Sequence, residues 1–261
     1  LFRTEKFANW ELCMRRILIV LLILILSLCG YFLYHEKNQK KEINKEMFDQ
    51  VMSEKMEKLY VQARNWQKPL SLPVEDNRLE GDYKIMSEFI LKYWMDNIEA
   101  RNSYLRQLEK AKWNEFLDAE RLDQDRAQAY QQSNKMLGEV RSATVAFEKK
   151  QASIYANAIV QVDELKVNNT LRQSMKEKLV LSHANNDETA LLQIERQIIE
   201  KAEQMLNMLR THKWVRQGKT FLFTNDEQVR DFNILYAEIL EFQAQIDELK
   251  KQNASVFEMD R

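Results

Sequence analysis

The chain has 261 residues, 45% hydrophobic and 30% charged, with 39 Lys and Arg against 40 Asp and Glu for a net charge of -1. That balance argues against non-specific nucleic-acid binding, which needs an excess of basic residues. Only 4 Gly and 2 Pro occur, too few for the turns of a β-sandwich or an α/β fold, so the composition points to an all-α protein.

The first feature in chain order is an uncharged run over residues 17–34, ILIVLLILILSLCGYFLY, preceded by Met14-Arg15-Arg16. This is the order of an export signal, and the run is just long enough for a helix to cross roughly 30 Å of hydrocarbon. Met14 reads as the physiological start with residues 1–13 as an upstream extension. The alternative is that residues 1–16 form a short cytoplasmic leader. Three fates are open to the run: an uncleaved signal-anchor, a lipoprotein signal lipidated at Cys29, or a cleaved secretory signal. No Ala-x-Ala site near its end supports the third. Leu26-Ser27-Leu28-Cys29-Gly30 is close to a lipoprotein box but carries Leu28 where the box has Gly, Ala or Ser. Otherwise Cys29 is a small apolar filler. Arg15 and Arg16 favour a cytoplasmic N-terminal side, against which Lys37, Lys40 and Lys41 act more weakly. The body is expected beyond the membrane, in the periplasm of a Gram-negative host. Both cysteines, Cys13 and Cys29, precede the body, which therefore has no disulfide, thiolate metal site or cysteine nucleophile.

Residues 38–252 read as one helical bundle of long antiparallel helices. Phe48, Met52, Met56, Leu59, Ala63 and Trp66 form the first apolar stripe at three- and four-residue steps. Residues 67–77, QKPLSLPVEDN, hold both prolines and break the chain. A second stripe runs through Met86, Phe89, Tyr93, Trp94, Ile98, Leu105 and Leu108. Its aromatics suggest a central position. A weaker break is expected over 113–125, then a long helix through Leu137, Val140, Phe147, Ile154, Ala158, Val162 and Leu165. Asn168-Asn169-Thr170 interrupts it before a short helix with Leu171, Met175 and Leu179. Residues 182–188, SHANNDE, read as a polar loop. The next stripe, Leu191, Ile194, Ile198, Ala202, Met205 and Leu209, is the cleanest. Residues 214–223 alternate and predict a β-hairpin turning at Gln217-Gly218, with Trp214, Phe221 and Phe223 as its anchors on the bundle. Thr224 and Glu227 predict a capping box before the last helix, through Val229, Phe232, Leu235 or Tyr236, Ile239, Phe242, Ile246 and Leu249. Residues 253–261 are expected to fray.

Catalytic signatures are missing. His35, His183 and His212 lack a second ligand at helical spacing, and no Glu-x-x-His, Gly-rich phosphate loop or Gly-x-Ser-x-Gly occurs. Asp118, Glu120, Asp123 and Asp125 read as a solvated face. Trp94, Trp113, Trp214, Phe221 and Phe223 are the candidate partner surface where exposed, and plain core where buried.

The leader ending near a Cys, the long helical middle and the segment GKTFLFT (218–224) leading to DFNIL (231–235) resemble a group of uncharacterised bacterial helical proteins, many with lipoprotein leaders. The resemblance covers about a tenth of the chain in specific residues. It implies an envelope location and lipidation at Cys29, and no activity. The expectation is a tethered scaffold or accessory subunit of the cell envelope. It is not read as an enzyme, needs no cofactor or metal, and binds the membrane and an envelope protein or itself. The alternative is an extracytoplasmic small-ligand-binding or sensing bundle.

Overall fold

The computed structural model describes residues 42–184 and 187–259. Over these the chain is mostly helical, with one small antiparallel sheet. In order come α1 (residues 42–64), α2 (Gly81–Lys110), a 3₁₀ turn (Trp113–Glu115), α3 (Ala119–Arg126), α4 (Gln131–Glu164), α5 (Asn169–Ala184) and α6 (Asp187–Thr211). The hairpin strands β1 (Trp214–Gln217) and β2 (Thr220–Phe223) follow, then α7 (Asp226–Met259). The apolar run at 17–34, and Cys29 within it, lie outside the described residues. Among the described residues no helix is long and apolar enough to cross a membrane.

Side-chain pairs fix the helix directions. Asp82, at the start of α2, accepts from the Asn168 amide beyond the end of α4, while Tyr104 near the other end of α2 meets Thr144 and stacks on Phe147. These two helices are therefore antiparallel. Between α4 and α6 the pairs Asn134–Arg210, Arg141–Glu203 and Glu148–Arg196 recur every seven residues on both helices. Seven residues are two turns, so the rungs stay on one side of an antiparallel seam. Tyr155 stacks on His183 and Asp163 pairs with Lys176, which runs α5 antiparallel to the C-terminal half of α4. The segments α5 and α6 thus follow one another along α4, whose 34 residues extend about 51 Å. Lys201–Glu238 and His212–Gln228 set α7 antiparallel to α6.

The main core gathers Phe116, Leu122, Met136, Val140, Leu206, Leu209, Trp214, Phe232 and Ile239. A smaller one holds Ala100, Tyr104, Phe147, Ile154 and Leu192. Leu206 and Val140 are wholly buried, and side chains of this size each contribute roughly 1.5–3 kcal/mol. The buried face of α6 is turned slightly from the expected stripe: Leu192, Ile199, Ala202 and Leu206 face inward, and Ile198 lies at the flank.

Residues 65–80 run back along α1 as an extended strap, as the two prolines require. Lys55 of α1, only 6% exposed, holds it, donating to the carbonyls of Pro73 (2.6 Å), Val74 (3.3 Å) and Glu75 (2.7 Å). Burial lowers the Lys55 pKa, which the nearby Asp76 partly offsets. Arg78 bridges Glu54 and Asp76 and, through its hydrogen bonds, holds the Asp76 carboxyl at about 2. Asn44 near the start of α1 donates to Glu80, and Arg106 near the end of α2 donates to Trp66, so α1 and α2 run parallel.

The expected break at 113–125 contains α3, capped by Asp118, which accepts from the Arg121 amide at 2.8 Å. Asp125 is not on a solvated face. It is 3% exposed and accepts from the amides of Gln132 (3.0 Å) and Ser133 (2.8 Å) and from the Ser133 hydroxyl (2.6 Å). It caps α4 from a distance because Tyr130, the residue before that helix, sits at φ 59 and has no capping side-chain bond. Burial raises the Asp125 pKa, but the Ser133 bonds, the Gln132 amide and the Arg121 charge outweigh it, and the net shift is downward. Arg121, 9% exposed, fills the remaining acceptors at Glu115, Phe116 and Ser133.

Three further local readings are corrected. Most of the expected polar loop at 182–188 is helical, since α5 reaches Ala184 and α6 starts at Asp187. Asn225 rather than Thr224 caps α7, its side chain accepting from the Glu227 amide at 2.8 Å. The hairpin forms, but its turn is Gly218-Lys219, one residue beyond the expected Gln217-Gly218, because Gln217 pairs with Thr220. Gly218 has φ +60 and Lys219 does not share a positive φ, which is the two-residue turn with glycine first.

Candidate functional site

The helices α2 and α4, α4 and α6, and α6 and α7 pack side by side, whereas among the described residues α2 and α7 share no extended contact. Between these two lies a groove of about 310 Å³. Tyr104 and Leu108 of α2 and Trp113 of the 3₁₀ turn line one wall. Gln243, Ile246 and Asp247 of α7 line the other, and Glu195, Ile198 and Ile199 of α6 lie between.

The spacing of α7 explains why its wall is available. Phe232, Leu235, Ile239, Phe242 and Ile246 recur at alternating steps of three and four and face α6. One position further on, Val229, Asn233, Tyr236, Leu240, Gln243 and Asp247 repeat the same steps on an adjoining face. Tyr236 and Leu240 on that second face are each 47% exposed. They lie one to three turns from Gln243 and Asp247 on the same face of α7, toward the hairpin.

At its inner edge the Tyr104 ring is buried and its hydroxyl lies 3.3 Å from Thr144 Oγ1. Burial, and then the charge of Glu195 beside it, push the phenol far above its ordinary pKa. A phenol held protonated is a donor and not a base. Among the described residues, Glu195 and Asp247 are the charged groups of the lining, and both are acidic. Among the described residues no three His, Cys, Asp or Glu side chains converge in a way that holds a metal ion.

The aromatic residues marked in the sequence are distributed unequally. Trp113 lines the groove and packs on Phe116 at 4.6 Å. Trp214 is 4% exposed and belongs to the core, so it offers no partner surface. Its indole donates to Leu209 O at 2.9 Å, and Arg126 lies 4.4 Å above its ring. Phe221 and Phe223 are half-buried, both against Phe232. Trp94 is half-buried on α2, about 15 Å before Tyr104, and is not in the groove. Cys29 lies outside the described residues. Arg121, Asp125 and Ser133 form a bonded charge group, but they are buried where no substrate reaches them.

Sequence reading missed Tyr104, Glu195, Gln243 and Asp247. The second stripe of α7, legible in Tyr236 and Leu240, is a signal for Gln243 and Asp247 alone, and no local pattern marks Tyr104 or Glu195. Compared with family models, with curated proteins and with solved structures, the chain matches none.

Proposed function

We propose that this chain is a membrane-tethered helical protein of the bacterial cell envelope, with its body beyond the inner membrane, acting by contact as a scaffold or accessory subunit. The run at 17–34 after Arg15-Arg16 supports the tether. The observation that carries the contact role is the unfilled face between α2 and α7, where Tyr236 and Leu240 stay exposed beside a groove. Apolar residues kept at helical spacing on an otherwise charged surface are characteristic of a docking face. The test is fractionation of the native host with protease treatment of spheroplasts, followed by site-specific crosslinking from Leu240. Membrane retention, external cleavage and a discrete crosslinked product are expected. A freely soluble cytosolic product overturns the tether, and no crosslink overturns the contact role.

A second reading is a small-ligand-binding bundle. The groove favours it, since about 310 Å³ with a few polar groups on apolar walls is at the small end of ligand sites. A thermal-shift screen of small metabolites separates the two: a shift of several degrees with one compound supports this reading.

A further inference from the structure

We infer that the end of the bundle built from the start of α1, the start of α2 and the α4–α5 turn rests on the phospholipid headgroups, with the hairpin end about 50 Å outward. The inference rests on the tether proposed above, in its uncleaved form, and names the face that meets the membrane.

Reach along the chain selects this end. The apolar run closes at Tyr34 and α1 is described from Glu42, so seven residues, 35–41, join them. Seven residues span at most about 25 Å even when fully extended. The polar headgroup layer on one side of a bilayer takes up roughly 5–8 Å of that. Asn44 donates to the Glu80 carbonyl at 3.1 Å, and Asp82 accepts from the Asn168 amide at 3.1 Å. The first turns of α1 and α2 and the link between α4 and α5 therefore share one end. The hairpin is at the other: Trp214 donates to the Tyr130 hydroxyl at 3.2 Å, and Tyr130 immediately precedes α4. The 34 residues of α4 hold the two ends about 51 Å apart, twice what the joining residues cover. The hairpin end is out of reach of the bilayer unless the bundle lies flat.

The flanks disfavour lying flat. Arg141–Glu203, Glu148–Arg196 and Lys201–Glu238 pair along the side formed by α4, α6 and α7, with their side chains partly in water. Lipid laid along that side dehydrates these charges at a cost that the pairing does not return. At the near end Glu42, Lys45, Glu80, Glu164 and Lys166 are exposed and mix both signs, so the reach of the chain sets the contact and charge does not. Ile43, 62% exposed in the first turn of α1, gains by leaving water there. The groove is placed by the same geometry. Tyr104 lies about 33 Å along α2 from Asp82, so a partner that uses the groove is met well clear of the headgroups.

The test uses the full chain with Cys13→Ser and Cys29→Ser in phosphatidylcholine nanodiscs that carry an acceptor dye on a lipid headgroup. A donor dye is attached at Asn169→Cys beside the α4–α5 turn, at Lys149→Cys midway along α4, or at Lys219→Cys in the hairpin turn, all three exposed positions. Circular dichroism checks that helix content is kept. Energy transfer is expected to fall in that order, about fivefold or more from Asn169 to Lys219, since about 50 Å of α4 separates them. Equal transfer at all three positions overturns the inference and makes a flank the lipid-facing side. Greater transfer from Lys219 than from Asn169 overturns it by inverting the bundle. Both results require the chain to co-elute with the nanodiscs and so leave the tether standing. A chain that stays in the aqueous fraction removes the tether, and the inference with it.

Discussion

Replacing Asp125 with Ala tests whether the corner between α2 and α4 is held by one buried carboxylate. The side chain removed is 3% exposed and accepts from two amides of the first turn of α4, at 3.0 and 2.8 Å, and from the Ser133 hydroxyl. Losing a helix cap alone costs about 0.5–2 kcal/mol. Stranding a buried charge by removing its partner costs about 3–5 kcal/mol, and the Arg121 guanidinium lies 3.5 Å away at 9% exposure. The two costs overlap because one carboxylate serves both. Arg121 also keeps the Glu115 carbonyl at 2.9 Å and that of Phe116. A loss of about 3 kcal/mol is therefore expected. The assay is urea unfolding of a fragment beginning at residue 38, followed at 222 nm. Arg121→Met in the same chain removes the stranded charge, so the double variant is expected to lose at least about 1 kcal/mol less than the sum of the single ones. A loss below about 1 kcal/mol for Asp125→Ala, or strict additivity, refutes the reasoning.

Asn102→Leu is expected to raise the urea midpoint. Asn102 is wholly buried with neither amide atom hydrogen-bonded, and an apolar side chain of similar size removes that desolvation cost; a lowered midpoint shows that the amide is used. Gly218→Ala is expected to cost about 1 kcal/mol from its φ of +60, although nothing lies within 4 Å of the added carbon. An unchanged melting temperature counts against the strain. Asp76, held at about 2 against an ordinary 3.8, contributes stability that is complete above the ordinary value and is lost as pH falls through the lower one. The deficit of Asp76→Asn measured by urea unfolding is accordingly expected to shrink between about pH 4 and pH 2, and a deficit constant over that window argues against the Arg78 bridge.

The order of the long helices, the break at the two prolines and the hairpin were legible because each rests on local chemistry, whereas α3 was not. Apolar residues at three- and four-residue steps, two prolines in eleven residues and an alternating run around Gly218 act through near neighbours. The corner was not legible. Asp125 caps a helix that begins six residues later, and a solvated aspartate has the same local sequence context as one folded under a neighbouring helix. Trp214 was ambiguous for the same reason: the Leu209 carbonyl beside it is near in sequence, but the Phe221 and Phe232 rings that cover it arrive only with the tertiary fold. The groove depends on a pair of helices that do not pack, which no periodicity reports. Its acidic lining comes from two helices about fifty residues apart, so neither carboxylate alone marks a site.

The Lys55 clip has a mechanical consequence. The chain reaches the bundle through α1, and α1 touches the strap through an ammonium shared among three carbonyl oxygens. A force transmitted from the N-terminal side acts along α1, parallel to α2, and so loads these bonds in shear, all together. A thermal fluctuation that frees the strap, by contrast, opens one carbonyl at a time, so the joint resists a pull better than it resists peeling.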